Sequence, residues 1–441
     1  MRGLPGGCRP RLHHSGPRTR SPPGGACPHA PATARCRGAA TRRATAPLLR
    51  PRAAARGTPE AAVPAQQQQQ HQHHPAGPLT GLLEVVAEPL PLAPRPPQPG
   101  GMGPIFAALA AGAGLAALGR FLSADADMGL LLRGRHRRGA FDGKVVWITG
   151  ASQGLGAELA RYLAAQGARL ILSSRSLEKL ERVKASCSGK HASEALLLPL
   201  DVTAAAADLE AAASEADAAF GGAGVDFLIH NAGASQHAQA AATAVGVSRT
   251  LLELNALGPI ALTRAALPHM LARNKGRFVV VASMAAKVPS PGQASYSAAK
   301  GALWGYFGSL AAEVADQGVG VTIVCPGPIS TGSPDAPRVV YGPDGLISQP
   351  QHGSKGKVSP ERCAQLVANA AAHGVNEAWI AKHPVLLIGY FMQYCPPLGW
   401  AVLKKIGPAR ARAVSSGRSG YDVGAMLRDR DGGGGGAAGS G

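Results

Sequence analysis

Paired cysteines are missing from this chain. Its seven cysteines are scattered. The four beyond residue 101 (Cys187, Cys325, Cys363 and Cys395) form no Cys-x-x-Cys pair and no Cys/His spacing that suits a metal. That excludes a disulfide framework and a zinc site as organising features. Residues 1–101 lack lysine altogether and hold only three acids, Glu60, Glu84 and Glu88. Arg, Pro, Ala, Gly and Gln dominate there instead, with a low-complexity run at Gln66–Gln70 and histidines after it. Such a segment has little apolar surface to set against the entropy of ordering, so a disordered leader is expected. The net charge of +19 does not signal nucleic acid, because about half of it lies in this leader and the remainder has no basic-aromatic module to read bases. The leader's composition also fits an organelle transit peptide, or a true start at Met102, and the sequence leaves these accounts open.

Residues 102–119 carry no charge and are rich in alanine, with Arg120 closing the run. The stretch is about as long as the shortest spanning helices, which need roughly 17–25 residues, so 102–122 is expected to be a membrane-anchor helix. Residues 123–142 form a basic linker in which Arg133–Arg138 suits an anionic membrane surface.

From Gly143 the pattern becomes regular. Short apolar, β-branched runs at Lys144–Thr149, Arg169–Ser174, Leu196–Pro199, Val225–His230, Arg277–Ala282 and Val319–Cys325 read as buried strands, with a last strand at Ala378–Ile380. Helical patterns cover Gly154–Ala165, Leu177–Cys187, Ser248–Arg273, Tyr296–Asp316 and Pro360–Ala372. Alternation of this kind predicts an α/β doubly wound parallel sheet, a Rossmann fold, over 143–382. Residues 383–430 are an apolar and then basic extension, suited to a hydrophobic pocket, a membrane surface or ordinary core packing. Residues 431–441 are a glycine-rich tail.

The chemistry sits at strand ends. Thr149-Gly150-Ala151-Ser152-Gln153-Gly154-Leu155-Gly156 follows the first strand and opens a helix. Glycines there let the backbone approach a pyrophosphate, and the helix N-terminus supplies N–H groups and a positive dipole end. The second strand ends Ser173-Ser174-Arg175, with no acid before Glu178. An NAD-selective fold places a carboxylate there against the ribose 2′-OH; Arg175, assisted by Ser174, instead matches a 2′-phosphate, so NADP(H) is the expected cofactor. Asp201-Val202 and Asn231-Ala232-Gly233 follow the third and fourth strands, where doubly wound sheets bind ligands. Asp201 is placed to meet the adenine edge.

Ser283 ends the fifth strand, and Tyr296-Ser-Ala-Ala-Lys300 opens a helix thirteen residues on. Residues four apart share a helix face, so both side chains enter one site. Tyrosine ordinarily loses its proton near pH 10. A nearby ammonium and an oxidised nicotinamide favour the phenolate, making Tyr296 a workable acid/base. Ser283 can hold the same substrate oxygen as charge develops. Asn255 is a polar residue inside an apolar helical stretch, and from pattern alone a solvated or locally satisfied side chain is its first reading.

Taken together, these residues resemble the classical short-chain dehydrogenase/reductase family over 143–332, with Pro326-Gly327-Pro328-Ile329-Ser330-Thr331 completing the match. The resemblance implies a catalytic tetrad of Asn255, Ser283, Tyr296 and Lys300, with Lys300 also on the nicotinamide ribose and backbone near Ile329 and Thr331 on the carboxamide. A membrane-anchored branch of the family is similar outside the core too, at Phe121–Asp127, Glu181–Lys184, Leu198–Asp201, Pro268–Met270 and Glu377–Ile406. That branch implies an NADP(H)-dependent reductase of lipophilic carbonyls or alcohols, of steroid or retinoid kind, at the endoplasmic reticulum membrane, with a homodimer as one candidate assembly. Membrane-bound 3-ketosphinganine and chlorophyll b reductases are alternatives, the latter implying a chloroplast. A cofactor-binding membrane scaffold without turnover is an alternative of another class. Two departures stand out. His230 replaces an Asn before the Asn-Ala-Gly run, and Met284-Ala-Ala-Lys287 follows Ser283 in a loop expected to border the pocket. Residues 236–247, 284–295 and 332–357 are expected to shape that pocket.

Overall fold

The computed structural model describes residues 103–330, 337–351, 353–354 and 356–420. The leader, the glycine tail and Thr331 therefore lie outside the described residues. At the centre is a seven-stranded sheet in the order β3-β2-β1-β4-β5-β6-β9. Its strands are β1 (Val145–Thr149), β2 (Arg169–Ser173), β3 (Leu196–Leu197), β4 (Phe227–His230), β5 (Gly276–Val281), β6 (Val319–Pro326) and β9 (Glu377–Ile380), and every pairing is parallel. The central strand shows why its text lacks polar alternation. All five residues of β1 are buried, Val146 and Ile148 toward one face and Val145 and Trp147 toward the other, because helices cover both faces of a parallel sheet.

Helices α3 (Gly154–Ala165), α4 (Leu177–Ser186) and α9 (Pro360–Ala372) pack on the first face, through Leu159, Leu163, Leu180 and Val367. Helices α5 (Ala206–Gly222), α7 (Gly258–Ala272) and α8 (Ala294–Glu313) pack on the second, through Leu209, Leu262, Leu303 and Phe307. Ahead of α7 runs α6 (Val245–Leu252). The sheet then meets a small antiparallel hairpin of β7 (Arg338–Tyr341) and β8 (Leu346–Gln349), stitched to the core where Tyr341 and His237 share a 2.7 Å backbone hydrogen bond.

Several expectations are revised. The single helix expected over Ser248–Arg273 is two, α6 and α7, joined by a π-helical turn at Glu253–Leu257. Helix α5 and the β7–β8 hairpin have no counterpart in the sequence reading. The third strand is shorter than Leu196–Pro199, and the fourth begins at Phe227 rather than Val225. Helix α1 (Gly103–Leu122) forms, yet no helix among the described residues is long and apolar enough to cross a membrane. Its alanines and glycines give length without hydropathy. After α1 come α2 (Met128–Arg133) and, at the other end of the chain, α10 (Val385–Tyr394) and α11 (Pro396–Ser415). These last two fold back over the sheet, burying Leu386 and Leu403 in the second face's core.

Candidate active site

The carboxyl ends of β1, β4, β5 and β6 converge on one edge of the sheet. Gly150 leaves β1 with φ +64°, and a Cβ there would meet Ala232 Cα at 2.8 Å. A Cβ on Gly156 would meet the Gly150 carbonyl oxygen at 2.2 Å, so only glycine lets the first turn of α3 settle on this bend. No side chain caps that helix and no acid lies in its first turn, which leaves its N-terminus suited to a phosphate. Ser152, Gln153 and Leu155 flank the turn; Leu155 is buried and lines the adjoining cavity.

Asn231 braces this cradle. Its Nδ2 donates to the carbonyls of Thr149 and Gly150, both at 3.1 Å. The Thr149 hydroxyl accepts the N–H groups of Asn231 (3.1 Å) and Ala232 (3.2 Å). At the end of β2, Ser174 is half-buried and Arg175 exposed. Burial would raise the carboxyl of Asp201, but hydrogen bonds from Thr203 and the charge of Arg175 outweigh it and hold it below the usual carboxylate range. Asp201 Oδ1 accepts both the N–H (2.9 Å) and the hydroxyl (2.8 Å) of Thr203, so that oxygen is engaged in its own turn. Val202 packs so closely that a Cβ on Gly258 would meet its carbonyl oxygen at 2.6 Å.

Asn255 is fully buried within the π-helical turn. Its Oδ1 accepts the Ala234 N–H (3.1 Å), and its Nδ2 donates to the carbonyls of Ala234 (3.1 Å) and Leu251 (3.0 Å). A side chain inserted into the helix's own carbonyl ladder is a recognised cause of such a break. A Cβ on Gly233 would meet Asn255 Oδ1 at 2.5 Å and Lys300 Nζ at 3.5 Å, so Gly233 is the only residue type that lets these two groups share the space behind the loop.

Tyr296 lies in the first turn of α8 and Lys300 one turn on. Lys300 Nζ is 5.9 Å from the Tyr296 ring centroid and donates to the Val281 carbonyl at 2.9 Å. Burial pushes the Lys300 amine down from 10.5 to about 8, while Cys325 pulls it the other way. Ser283 Oγ donates to the Pro326 carbonyl (3.4 Å) and accepts the Ala285 N–H (3.1 Å). Gly327 lets the chain after β6 pass close to Ala381, whose Cβ a Cβ added at 327 would meet at 2.8 Å, and Ile329 bridges to Val358.

Asn255, Ser283, Tyr296 and Lys300 all line one cavity of about 340 Å³, together with Gly233, Pro326, Gly327 and Ile329. Val385 and Ile388 of α10, and Leu403, Ile406, Arg410 and Val414 of α11, form another wall. Of the segments expected to shape the pocket, His237, residues 284–285 and 288–291, Gln293, Arg338, residues 349–351 and Lys357 do so; 239–247 do not. Lys287 also stays off the cavity: its Nζ pairs with Glu377 Oε1 at 2.8 Å.

Gln236 and Gln293 fall in segments expected to shape the pocket, but their individual roles were not foreseen. Gln236 is buried, and its Oε1 accepts the Tyr296 N–H at 3.1 Å, satisfying one orphan donor of the α8 N-terminus. Gln293 Nε2 donates to Ser235 Oγ (3.0 Å), and its Oε1 accepts from Arg410 Nη2 (2.9 Å). No local pattern marks either.

Several known proteins are similar to this chain. The short chain dehydrogenase family profile matches residues 144–336. Human dehydrogenase/reductase SDR family member 7 is 36% identical over 307 residues, covering 68% of this chain and 88% of that protein. A Drosophila melanogaster protein, dehydrogenase/reductase SDR family protein 7-like, is 32% identical over 271 residues, 61% of this chain and 82% of its own. Among solved structures, a short chain dehydrogenase from Burkholderia cenocepacia in complex with NADP aligns with a TM-score of 0.49 at 27% identity, over 60% of this chain and 98% of that one. The chain is an oxidoreductase and belongs to the short-chain dehydrogenase/reductase family.

Proposed function

We propose that this protein interconverts a carbonyl and an alcohol on a lipophilic substrate, with NADP(H) as cofactor and Tyr296 as acid/base. The observation that carries the reading is the shared cavity: Ser283, Tyr296 and Lys300 line it with Leu155, Asn231 and Gly233, which adjoin the glycine turn, and with an apolar wall from α10 and α11. The cradle fits a dinucleotide, since Gly150, Gly156 and Gly233 each stand where a Cβ would strike neighbouring atoms, and the uncapped α3 terminus suits its pyrophosphate. Arg175, beside Asp201 with no carboxylate ending β2, favours a 2′-phosphate over a bare ribose. Bound there, the nicotinamide supplies or accepts the hydride.

The side chains do the rest. Tyr296 donates its phenolic proton to the carbonyl oxygen in reduction and takes it back in oxidation. The Lys300 ammonium, buried one helical turn away, stabilises the phenolate left behind. Ser283 turns its hydroxyl from the Pro326 carbonyl to the substrate oxygen and holds it as charge develops. Asn255 acts through the backbone, holding Ala234 by both amide atoms so that the 231–234 loop keeps its place beside Lys300. Attachment to a membrane surface of the endoplasmic reticulum kind is part of this reading, because apolar substrates concentrate there.

Purified protein with NADPH and a panel of apolar ketones and aldehydes tests the proposal by consumption of NADPH. Turnover is expected for wild type, with Tyr296→Phe lower by at least two orders of magnitude, the lower bound for a positioned proton donor of about 10²-fold. Equal rates for the two proteins would sink the assignment of Tyr296.

A further inference from the structure

The turn that delivers Tyr296 to the cavity is held from outside its own helix. Gln293 is the N-cap residue of α8, three positions before Tyr296, and its side chain makes no capping hydrogen bond. A side-chain cap ordinarily satisfies an orphan N–H there and fixes the first turn. Here Gln236, from the loop after β4, accepts the Tyr296 N–H instead. The Gln293 side chain is engaged elsewhere: Nε2 donates to Ser235 Oγ (3.0 Å), and Oε1 accepts from Arg410 Nη2 (2.9 Å).

Arg410 stands on α11, beyond the residues 144–336 that match the family profile. It is 8% exposed. Its Nη1 donates to the Pro291 carbonyl and its Nε to the Gly420 carbonyl at 3.1 Å. One planar fork therefore holds the turn before α8 both by its backbone and by its N-cap side chain. The packing around that fork is as close. Gly292 has φ +84°, and a Cβ on it would meet Val414 Cβ at 3.3 Å and Ala411 Cα at 3.4 Å. A Cβ on Gly407 would meet Pro291 Cγ at 3.3 Å. From the opposite side, the Ala238 N–H donates to the Gly292 carbonyl at 3.0 Å. The 291–293 turn is thus clamped between α11 and the loop after β4.

We propose that Arg410 is a positioning residue for the reaction: through Gln293 and the Pro291 carbonyl it fixes the first turn of α8, so that the Tyr296 hydroxyl meets the substrate oxygen beside Ser283 and Lys300. This rests on the acid/base reading of Tyr296 above and adds the group that aims it. Aim matters, since a misplacement of about 1 Å lowers a rate by about 10²-fold.

Steady-state kinetics of the full chain test this, with NADPH and an apolar ketone in one direction and NADP+ and the matching alcohol in the other. Arg410→Met should lower kcat by about 10²-fold and leave NADPH affinity, read by the cofactor's fluorescence, unchanged. Gln293→Met should act in the same way. The double variant should be no worse than the poorer single one, because both cut one linkage. Arg410→Lys keeps the charge but not the fork, and should recover only part of the lost kcat. In alcohol oxidation, Arg410→Met should reach its plateau rate at higher pH, because a phenol moved off the Lys300 ammonium holds its proton more tightly. A mere loss of folded enzyme would scale the rate equally at every pH. Unchanged kcat, or a lowered kcat with an unmoved pH midpoint, overturns the proposal. If Arg410→Met fails to bind NADPH, Arg410→Lys and Gln293→Met decide by the same two readings. A slow Tyr296→Phe beside Arg410 and Gln293 variants of normal kcat sinks this inference alone. A fully active Tyr296→Phe sinks the Tyr296 reading and this inference with it.

Discussion

Lys300 combines a fixed place with an unfavourable environment. Its carbon stem and amine are 4% exposed, and the cost of taking an ammonium out of water lowers its proton affinity to about 8. Two consequences follow with defined signs. Above about pH 8 the amine is neutral and no longer stabilises the Tyr296 phenolate, so kcat for carbonyl reduction should decline as pH rises through that value. Lys300→Arg, whose charge persists far higher, should give a slower enzyme with a flat profile, and a pH–rate series on both checks this. On the stability side, the unfolded amine titrates at the ordinary 10.5, so between about 8 and 10.5 the unfolded chain binds the extra proton and stability rises with pH. At pH 7 the buried ammonium costs about 3 kcal/mol. Lys300→Met should therefore raise denaturant stability at pH 7 by up to that amount, the gain fading toward pH 10.5. No gain at pH 7 would mean the ammonium is not desolvated.

At the same scale, the spacing Ser283–Tyr296–Lys300 was legible because each residue's place follows from a strand end or a helical turn. Arg410 and Gln293 were not, since they stand 117 residues apart and meet only once α11 folds back. Thr331, expected near the carboxamide, lies outside the described residues.

At the level of elements, apolar periodicity told helix from strand but not where a helix breaks. The run Ser248–Arg273 reads as one helix because Asn255 looks like a solvated polar position. In the fold it takes the Leu251 carbonyl for its own amide, and the ladder shifts register around it. Helix α5 was overlooked for the opposite reason, as alanine gives little periodic contrast. The hairpin had a visible turn, Gly342-Pro343-Asp344-Gly345, between Val339-Val340-Tyr341 and Leu346-Ile347.

Lys287 shows an element-level role in place of the expected pocket role. Its ammonium sits 3.9 Å from the Trp304 ring centroid of α8 and pairs with Glu377 at the start of β9. Glu377 also accepts Trp304 Nε1 (2.6 Å) and Trp379 Nε1 (2.5 Å). Burial opposes the Glu377 charge, yet the hydrogen bonds from Lys287, Trp304 and Trp379 and the Lys287 charge keep its carboxyl below the usual range. The cluster staples the loop after Ser283 to the helix that carries Tyr296. Lys287→Met and Glu377→Gln should each destabilise by roughly 1–3 kcal/mol and lower kcat more than they raise KM. The double variant should be little worse than the poorer single one, since both break one network. Full additivity in a thermal-unfolding cycle would show that the two side chains act separately. Because the folded Glu377 value is depressed, its stabilisation is present above the ordinary carboxylate range and is lost as pH falls through the folded value.

Across the whole molecule, strand–helix alternation was enough to foresee the doubly wound sheet, while the relation of the chain to a membrane was legible only as composition. The proposed membrane attachment is tested on the helix the structure offers for it. Helix α1 falls short of a span, but it exposes Phe106, Leu109, Leu115, Leu118 and Leu122. Its end is tied to α10 and the residues just before it: the Phe121 ring packs 5.8 Å from Tyr390 of α10 and 4.9 Å from His383, and the Phe121 carbonyl meets His383 Nε2 at 2.8 Å. Helices α10 and α11 in turn line the cavity, and their exposed residues include Tyr394, Leu398 and Trp400. Arg133 ends α2 and Arg135, Arg137 and Arg138 follow it, all exposed. Apolar side chains flanked by arginines suit a helix lying in the headgroup region rather than one passing through it. The full chain is therefore expected to float with phosphatidylserine-containing vesicles and much less with neutral ones. Each arginine near an anionic surface is worth about 1 kcal/mol, so replacing the four by glutamine should lower vesicle affinity by more than an order of magnitude. Replacing Phe106, Leu109, Leu115 and Leu118 by serine should weaken flotation on both lipids while sparing NADPH binding. If that serine variant floats as well as wild type, α1 is not a docking element.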